Sequence, residues 1–517
     1  MHLRTPVLAI APLIAVAFPA LCQGGPPFVS VPPGFGLVLH TSGLDFPTAI
    51  EFAGSSLWIT EGGFLPGVAP KIKRIDGAPG STIAVTILSG PDLAPGALLG
   101  PLTDITHRDG WLWITHHATG ANGWRVGAIS RFQPSDPVGT FTTVITNLPS
   151  AGDHHTDALV FGADGRAYFS IGTATNSSVV GPDNEILEGW LAGSPTFHDY
   201  PAKDVVLSGL EFQTLVPFVL DPTRTLHTPP FAPFGSGFVP AGAVVTAPTP
   251  AAPQDGMIAG NGAVYSFDPA SATPTATLRL EAWGFRNPYG LGFDPADPSR
   301  LIVSNNGADI RAANLGNGLR LIGAHPIAND LEDVFAFTVG GTEEFFGWPD
   351  FFHHPTAGIP LPITDPIFCN HPPRLRIRCP EFVFDAAFRA TLTVEPALVQ
   401  LELNSSANKF DFSTNATFQF MGNMFIAETG AFAPTTGATQ FTGHKIVRVD
   451  LQAGTSHDFL MNTGANPAQL FDPTNFNKPI DVRFRDATML VVDLGVFVPS
   501  LNLVAPASGK IWALARP

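Results

Sequence analysis

The sequence predicts an all-β protein, a six-bladed β-propeller, and three observations support this prediction. The first is composition: of 517 residues only 14% are charged, against roughly 25% in an average globular chain. Few Lys and Glu residues, together with 52 glycines and 51 prolines, favour short strands joined by turns over helical bundles. The second is a repeated hairpin phrase, and the third is the spacing of its copies. The 44% of hydrophobic residues can build a large core, which excludes a disordered chain.

The repeated phrase begins with a proline or small residue and continues with alternating apolar residues, which is typical of a half-buried strand. A polar turn such as Asp164-Gly165 follows, and then a second β-rich run. A single hairpin cannot bury its apolar face, so repeated hairpins must stack. Six copies with intervening strands therefore indicate six blades of about four strands each. The copies begin at Phe46, Gly100, His154, Phe285, Ser405 and Phe476.

The spacing of the copies indicates where the propeller carries insertions. The first three copies follow one another closely, whereas long intervals precede the fourth and the fifth. We therefore expect long loops at about 176–255 and 309–400. The segment 223–258, which is rich in Pro, Ala, Gly and Thr, is interpreted as a loop excursion. One propeller domain is accordingly predicted over residues 30–517.

Residues 1–22 have the pattern of a secretory signal peptide. His2 and Arg4 provide a short positive start, and the uncharged stretch that follows is short for a membrane-spanning helix. Cys22 leaves a lipoprotein as an alternative, although Leu21 is larger than the residue that usually precedes a lipidated cysteine. We expect the mature protein to be secreted or periplasmic, with no membrane span.

The net charge of −16 argues against nucleic acid as a partner, because binding a phosphate backbone needs clustered Lys and Arg. The sequence contains no such cluster and no basic amphipathic helix suited to a membrane surface. Cys369 and Cys379 remain once the signal peptide is removed, and export favours a disulfide between them. Two cysteines at this separation are also a weak zinc signal, which is the alternative.

A histidine beside a carboxylate opens the third copy, where Asp153 precedes His154. The pKa of an imidazole lies near neutrality, and a neighbouring carboxylate can orient the ring, so the pair suits a general base. The alternative is that His154 and His155 are surface or structural histidines.

The fourth copy opens with Arg286 and Asn287 before a proline turn. A guanidinium fork binds carboxylates and polarised oxygens in two-point contacts, so this pair is a candidate for ligand binding. The alternative is that Arg286 binds backbone carbonyls of neighbouring blades and is purely structural.

Oxygen-rich side chains cluster after the fourth copy, at 304–309 and 329–333. Asp, Glu and Asn oxygens around a glycine turn are the ligands that a hard cation such as Ca²⁺ prefers. Their spacing does not fit an EF-hand loop, and a solvated acidic loop is an equally good interpretation.

Several phrases, spread over about residues 30 to 496, together resemble the glucose/sorbosone dehydrogenase family. The most specific are the R-N-P-x-G and G-W-P phrases in this order. The resemblance implies a six-bladed propeller that uses pyrroloquinoline quinone (PQQ) and Ca²⁺. The matching phrases are DHHTDALVFGADGRAYFSIG, AWGFRNPYGLGF, SNNGAD, PIANDLEDVF, FGWPDFF, SSANKFDFS and PIDVRF.

The resemblance also implies roles for individual residues. His154 matches the general base that removes the proton of the sugar hydroxyl, and Asp153 matches the carboxylate beside it. Arg286 and Asn287 match the pair that contacts the reactive carbonyl region of the quinone. The positions matched to Ca²⁺ binding are the backbone carbonyls of Gly307 and Ala308 and the acidic stretch of Asp330, Glu332 and Asp333.

The activity that the resemblance implies is oxidation of a sugar or related alcohol or aldehyde by hydride transfer to the quinone. Electrons would pass to an external acceptor, because no C-x-x-C-H haem motif occurs in the sequence. Ser413 stands where the glucose enzymes carry a Lys that grips the quinone, with Lys409 just before it. This departure favours an alternative: a cofactor-less propeller that binds a ligand or a protein. A calcium-dependent hydrolase, with carboxylates from several blades around one metal, is a third hypothesis.

Overall fold

The computed structural model describes residues 26–63, 69–77, 81–186, 189–215, 225–310, 312–314, 320–322, 326–369, 379–431, 441–498 and 503–516. The predicted signal peptide at 1–22 lies outside the described residues. The chain forms six antiparallel sheets arranged as the blades of a β-propeller, which confirms the predicted fold class.

Blades 1 to 3 are consecutive in the chain, and their strands are given from the inner to the outer edge. Blade 1 contains Pro47–Ala53, Ser56–Glu61, Lys71–Ile75 and Val85–Ser89. Blade 2 contains Leu99–Arg108, Trp111–Thr119, Arg125–Phe132 and Thr142–Leu148. Blade 3 contains Thr156–Phe161, Ala167–Ile171, Ala263–Phe267 and Arg279–Trp283, with Glu344–Phe345 added in parallel.

Blades 4 to 6 repeat this order. Blade 4 contains Asn287–Asp294, Asp297–Asn306, Asp333–Thr338 and Val399–Gln400. Blade 5 contains Ala407–Phe412, Met424–Glu428, Lys445–Asp450 and Thr455–Asn462, with Val29–Ser30 at its edge. Blade 6 contains Pro479–Arg485, Thr488–Asp493, Gly509–Ala515 and Gly36–Leu44.

The ring closes through blade 6, whose outer strand comes from the start of the described chain. Gly36–Leu44 pairs with Gly509–Ala515, so that Leu37 lies opposite Leu514. The inner strands of successive blades contact one another around the whole ring, including those of blades 6 and 1. Carboxylates reinforce these seams: Asp481 Oδ2 accepts the Ile50 N–H at 2.9 Å. Such buried, charge-assisted bonds hold neighbouring blades in register.

The hydrophobic core lies between adjacent blades because each blade buries alternate side chains on both faces. Between blades 1 and 2, for example, Trp58 packs on Phe132 with ring centroids 5.9 Å apart. Burying one such aromatic side chain contributes roughly 1.5–3 kcal/mol. The inter-blade clusters are therefore the main source of stability.

Two insertions extend the blades near the predicted positions. The insertion of blade 3 contains the short helices Asp183–Ile186 and Trp190–Gly193 and the strands Val205–Val206, Phe212–Leu215, Thr225–Thr228 and Val244–Val245. Blade 4 carries the strands Ala312–Asn314, Arg320–Ile322, Phe351–His353 and Pro360–Pro362, the 3-10 helix Pro366–Cys369 and the helix Ala386–Arg389. The remaining elements are the 3-10 helices Gly90–Asp92 and Pro274–Thr277, the helix Pro467–Leu470 and the strands Phe497–Val498 and Leu503–Val504.

The predicted disulfide between Cys369 and Cys379 is confirmed. It lies in the blade 4 insertion. No helix within the described ranges is long and apolar enough to cross a membrane.

Candidate functional site

The candidate site lies where the inner strands of blades 3 and 4 begin. Asp153 and His154 stand just before the strand Thr156–Phe161, and Arg286 and Asn287 open the inner strand of blade 4. Both phrases start a hairpin copy, so the repeat itself places them at the same end of neighbouring blades.

A short chain of hydrogen bonds ties His154 to the Arg286-Asn287 pair. His154 Nδ1 lies 2.7 Å from the carbonyl oxygen of Thr173, and the Thr173 N–H donates to the carbonyl of Arg286 at 2.8 Å. Because a carbonyl only accepts hydrogen bonds, the proton of a neutral His154 ring resides on Nδ1. Nε2 is then the basic nitrogen, as a general base requires.

The carboxylate of Asp153 is bound by two side chains. Its Oδ1 accepts hydrogen bonds from Trp190 Nε1 at 2.7 Å and from Asn184 Nδ2 at 3.2 Å. Both donors belong to the blade 3 insertion. The Thr173 carbonyl holds Nδ1, and Asp153 anchors the insertion beside it. That Asp153 also supports His154 as a base stays a prediction.

Arg286 is buried and fixed by blade 4. Nη1 donates to the Gly307 carbonyl at 2.6 Å, and Nη2 lies 3.0 Å from Asp309 Oδ2. Its Nε is buried without a hydrogen-bond acceptor in the described part of the chain. The structural alternative for Arg286 is thus partly realised, while one N–H remains for a ligand oxygen.

Asn287 is oriented by a relay that ends on a backbone carbonyl. Asn306 Nδ2 donates to the Ala407 carbonyl, so Asn306 Oδ1 is the atom that accepts Asn287 Nδ2 at 2.8 Å. Asn287 Oδ1 is consequently turned away from Asn306, and it is buried without a donor among the described residues. A Cβ atom added at Gly172 would lie 2.7 Å from this oxygen and 2.4 Å from His154 Cβ. Asn287 and His154 therefore face each other across Gly172.

The acidic residues predicted to bind Ca²⁺ are engaged with the chain itself. Glu332 Oε2 accepts the Gly307 N–H at 2.9 Å, and Asp330 Oδ2 accepts the Ala308 N–H at 2.6 Å. Asp333 Oδ2 lies 3.1 Å from Nδ1 of His353. Burial raises the pKa of Glu332 to about 8 and that of Asp330 well above its usual value.

These contacts do not fit the calcium site that the resemblance implies. The Gly307 carbonyl, an expected ligand, accepts a hydrogen bond from the Arg286 guanidinium, and a cation there would lie beside that positive charge. Within the described ranges no three His, Cys, Asp or Glu side chains come together as a metal site. The role of Gly307, Ala308, Asp330, Glu332 and Asp333 in binding Ca²⁺ stays a prediction that this arrangement does not support.

The unpartnered polar atoms of Arg286 and Asn287 fit a quinone-like group better than the acidic residues fit Ca²⁺. Arg286 Nε is a buried donor and Asn287 Oδ1 a buried acceptor, each without a partner among the described residues, and Oδ1 lies near His154 across Gly172. A ligand would have to offer an acceptor oxygen to Nε and an N–H or O–H group to Oδ1. Burying such polar atoms unpaired is costly, which makes this corner the best candidate for ligand binding.

The residue at the position of the quinone-gripping lysine and three basic side chains that could replace it are engaged with the chain itself. Ser413 Oγ donates to the Gln419 carbonyl at 2.8 Å. Lys409 is buried and paired with Asp104 at 2.8 Å. Lys445 is paired with Asp458 at 2.8 Å, with Glu402 at 3.0 Å and with Glu428 at 3.7 Å, and Arg448 donates to Asn423.

Sequence reasoning missed Gly172, Thr173, Asn306 and Trp190. Thr173 acts through its backbone, and Gly172 through its lack of a side chain, so neither carries a chemical signal. Asn306 belongs to the quoted S-N-N-G-A-D phrase, and it could have been found there. Trp190 lies in an insertion outside the repeat, where no pattern predicts its contact with Asp153.

No family model matches the sequence, and no curated protein matches it. Among solved structures, a Trichoderma reesei protein described as carbohydrate-active enzymes family AA12 matches with 15% identity and a TM-score of 0.54 in both its iodide and its calcium structure. The match covers 96% of this chain, 100% of the iodide structure and 99% of the calcium structure. The soluble aldose sugar dehydrogenase of Escherichia coli, in its apo form, is 13% identical over 93% of this chain and 100% of its own, with a TM-score of 0.49.

At 15% identity the AA12 structures establish the fold and not the chemistry. They agree with the six-bladed arrangement described above and extend the agreement over nearly the whole chain. What the protein does has to be argued from its own side chains.

Proposed function

We propose that the protein is an oxidoreductase that oxidises a hydroxyl group of a sugar, or of a related alcohol or aldehyde, with PQQ as hydride acceptor. One observation carries the proposal: the bonds from His154 through Thr173 to Arg286 hold a basic nitrogen and a ligand-binding corner in one rigid unit. Such preorganisation is what proton abstraction beside a bound acceptor requires.

His154 is the proposed general base. Its Nε2 takes the proton of the substrate hydroxyl, and the positive charge that develops on the ring is stabilised through Nδ1–H by the Thr173 carbonyl. Asn287 Oδ1, which has no donor among the described residues, lies across Gly172 from the same ring. This oxygen is the negative end of the amide dipole, so it also favours the imidazolium form.

Arg286 would hold the cofactor by donating from Nε to one of its oxygen atoms, and Asn287 Oδ1 would accept from a cofactor N–H. When bound, PQQ supplies the carbonyl group that accepts a hydride from the substrate carbon. The protein supplies position and charge around this corner. No step is assigned to Ca²⁺, because the residues expected to bind it are engaged with the chain.

The substrate class rests on two supports. One is the resemblance to sugar dehydrogenases in the phrases around His154 and Arg286. The other is the likeness in fold to a protein described as carbohydrate-active. We further propose that the mature protein is exported, on the strength of the pattern at residues 1–22, and that it passes electrons to an external acceptor.

The test is reconstitution of the purified mature protein with PQQ, followed by dye reduction with a panel of aldoses. We expect saturable PQQ binding and sugar-dependent dye reduction, with a loss of about 10²–10⁴-fold in His154→Ala. The matched control is His107→Ala, a change at the opposite end of the blade 2 inner strand. A folded protein that binds no PQQ at micromolar concentration would contradict the proposal.

A second candidate function is a ligand-binding propeller without cofactor. The observation in its favour is that Ser413 is bonded internally and that Lys409 is paired with Asp104. Neither residue therefore replaces the lysine that grips the quinone in glucose enzymes. Sugar binding without PQQ binding or dye reduction would select this function.

A further inference from the structure

We propose that a second saccharide subsite lies beside His154, at the boundary of blades 2 and 3, and that it binds the sugar ring next to the one being oxidised. The inference rests on the proposed function and names its substrate class as a disaccharide or the end of a longer saccharide. The subsite consists of Trp124 and Trp190, with Asp153 and Asn184 at its polar edge.

The two tryptophans form a rigid aromatic platform around one buried ring. Trp124 and Trp190 both contact Phe197 edge-on, with ring centroids 5.9 Å and 5.8 Å apart and interplanar angles of 89° and 87°. Phe197 is only 1% exposed, whereas both tryptophans are partly exposed. Two indoles that are held in fixed orientation and remain partly exposed can form a preorganised surface for a ligand.

The platform comes from two parts of the chain that only the fold brings together. Trp124 ends the turn before the third strand of blade 2, and Trp190 begins a short helix of the blade 3 insertion. Beneath them, buried Asp199 accepts the Ala174 N–H at 2.7 Å and an Asn261 N–H at 2.9 Å. These hydrogen bonds hold in place the segment against which Phe197 and the two indoles pack.

Polar groups lie where the platform meets Asp153, the residue before the proposed base. Asp153 Oδ1 receives Trp190 Nε1 at 2.7 Å, and Asn184 Nδ2 approaches both oxygens of the carboxylate at 3.2 and 3.4 Å. Asp153 is the residue immediately before His154. The platform is thus joined directly to the site where the proton is removed.

This combination suits a pyranose ring. A sugar has faces of C–H groups, which pack on the π face of an indole, and an edge of hydroxyl groups, which donate to carboxylate oxygens. Pockets for small polar ligands commonly combine aromatic walls with a few placed polar groups. A ring that occupied this subsite would position a neighbouring ring toward His154.

The test is calorimetric binding of cellobiose, maltose and lactose, compared with glucose, to the full mature chain without PQQ. We expect at least one disaccharide to bind about tenfold more tightly than glucose. Trp190→Ala and Trp124→Ala should each reduce that advantage to about twofold or less. A tenfold change corresponds to about 1.4 kcal/mol, which is typical of a contact that matters at an interface.

Two further variants sharpen the result. Trp190→Phe keeps an aromatic ring but loses the bond to Asp153, so we expect an intermediate affinity for the disaccharide. Trp111→Ala removes a partly exposed tryptophan from the opposite end of blade 2 and should leave the affinity unchanged.

The outcome is separable from the proposed oxidation because no PQQ and no turnover are involved. Disaccharides that bind no more tightly than glucose, or equally well to Trp190→Ala, would overturn the subsite even if dye reduction succeeds. Conversely, Trp190-dependent disaccharide binding would support the subsite even in a protein that reduces no dye.

Discussion

Lys409 Nζ lies 2.8 Å from Asp104 Oδ1, and the two residues belong to blades 5 and 2, which face each other across the propeller. Nζ also donates to the Thr103 carbonyl, and Asp104 Oδ2 accepts the Leu159 N–H of blade 3 at 2.8 Å. One buried ion pair therefore links three inner strands. Charged side chains therefore span the central channel at the position of Asp104. Lys409, the lysine closest in sequence to Ser413, has a structural role.

Replacing Lys409 by Met should destabilise the propeller strongly, because Asp104 would be left as a buried charge with only the more distant Arg483, 3.9 Å away, as a cationic neighbour. Breaking a buried pair in this way costs about 3–5 kcal/mol. Chemical denaturation of the variant measures the loss. The double variant Lys409→Met/Asp104→Asn, which removes the charge but keeps an acceptor for Leu159, should recover at least half of it. Equal stability of the single and double variants would show that the ion pair has no such role.

The fold could be predicted from the sequence because each blade begins with the same hairpin phrase. All six predicted copies form the two innermost strands of a blade, and the long intervals between copies correspond to the two insertions. The alternation of apolar residues within each copy is a local property of the sequence. The low content of charged residues does not obscure it. The outer strand Gly36–Leu44 was not predictable in this way, since it pairs with the far end of the chain.

The site could be predicted only in part. His154, Arg286 and Asn287 are brought together as the repeat and the resemblance imply. The contacts of Asp153 with Asn184 and Trp190 could not be predicted, because both donors lie in an insertion without any repeat pattern. The third hypothesis, a calcium-dependent hydrolase, needs carboxylates from several blades around one metal. The structure brings Asp104, Asp157 and Asp481 of three blades near one another: burial raises the pKa of Asp157 and of Asp481, and the charge of Asp104 adds to both shifts.

Gly172 lies between the proposed base and Asn287, and it leaves no room for a side chain. A Cβ at this position would lie 2.4 Å from His154 Cβ and 2.7 Å from Asn287 Oδ1, so Gly172→Ala must push the two apart. A displacement of about 1 Å can reduce turnover by roughly 10²-fold, while overpacking costs about 1–3 kcal/mol of stability. Steady-state dye reduction and thermal unfolding would record both effects.

The control for this variant is Gly341→Ala, where the added methyl group would meet only the Thr338 carbonyl at 3.4 Å. It should leave activity and unfolding nearly unchanged. If Gly172→Ala behaved like Gly341→Ala, the close approach of His154 and Asn287 would not matter for function.

Asp199 should make stability depend on pH near neutrality. Burial raises its pKa to about 7, although Thr175, Ala174 and Asn261 donate hydrogen bonds to it. In the unfolded chain the group ionises near its usual value of 3.8, so between these values the folded state binds more protons. Stability gained from this group is therefore largest at low pH and is lost as the pH rises through 7, with a slope of up to about 1.4 kcal/mol per pH unit.

The measurement is urea unfolding of the wild-type protein and of Asp199→Asn between pH 5 and 8. The amide keeps an acceptor for Ala174 and Asn261, and the hydroxyl of Thr175 can rotate to accept from it. The difference in stability between the two proteins should shift in favour of the variant as the pH rises, because other buried carboxylates titrate equally in both. A difference that is constant over this range would show that Asp199 keeps the same charge throughout.

Substitutions of Asp153 distinguish its two suggested roles. If it anchors Trp190, Asp153→Asn should retain most of the dye-reduction activity, since the amide oxygen can still accept Trp190 Nε1 while the Thr173 carbonyl holds His154. Asp153→Ala should release the insertion and raise KM for a disaccharide more than it lowers kcat. If instead the negative charge of Asp153 supports the base, Asp153→Asn would reduce kcat almost as much as His154→Ala and shift the pH profile of kcat/KM. The geometry favours the first result, because the indole N–H already points at the carboxylate.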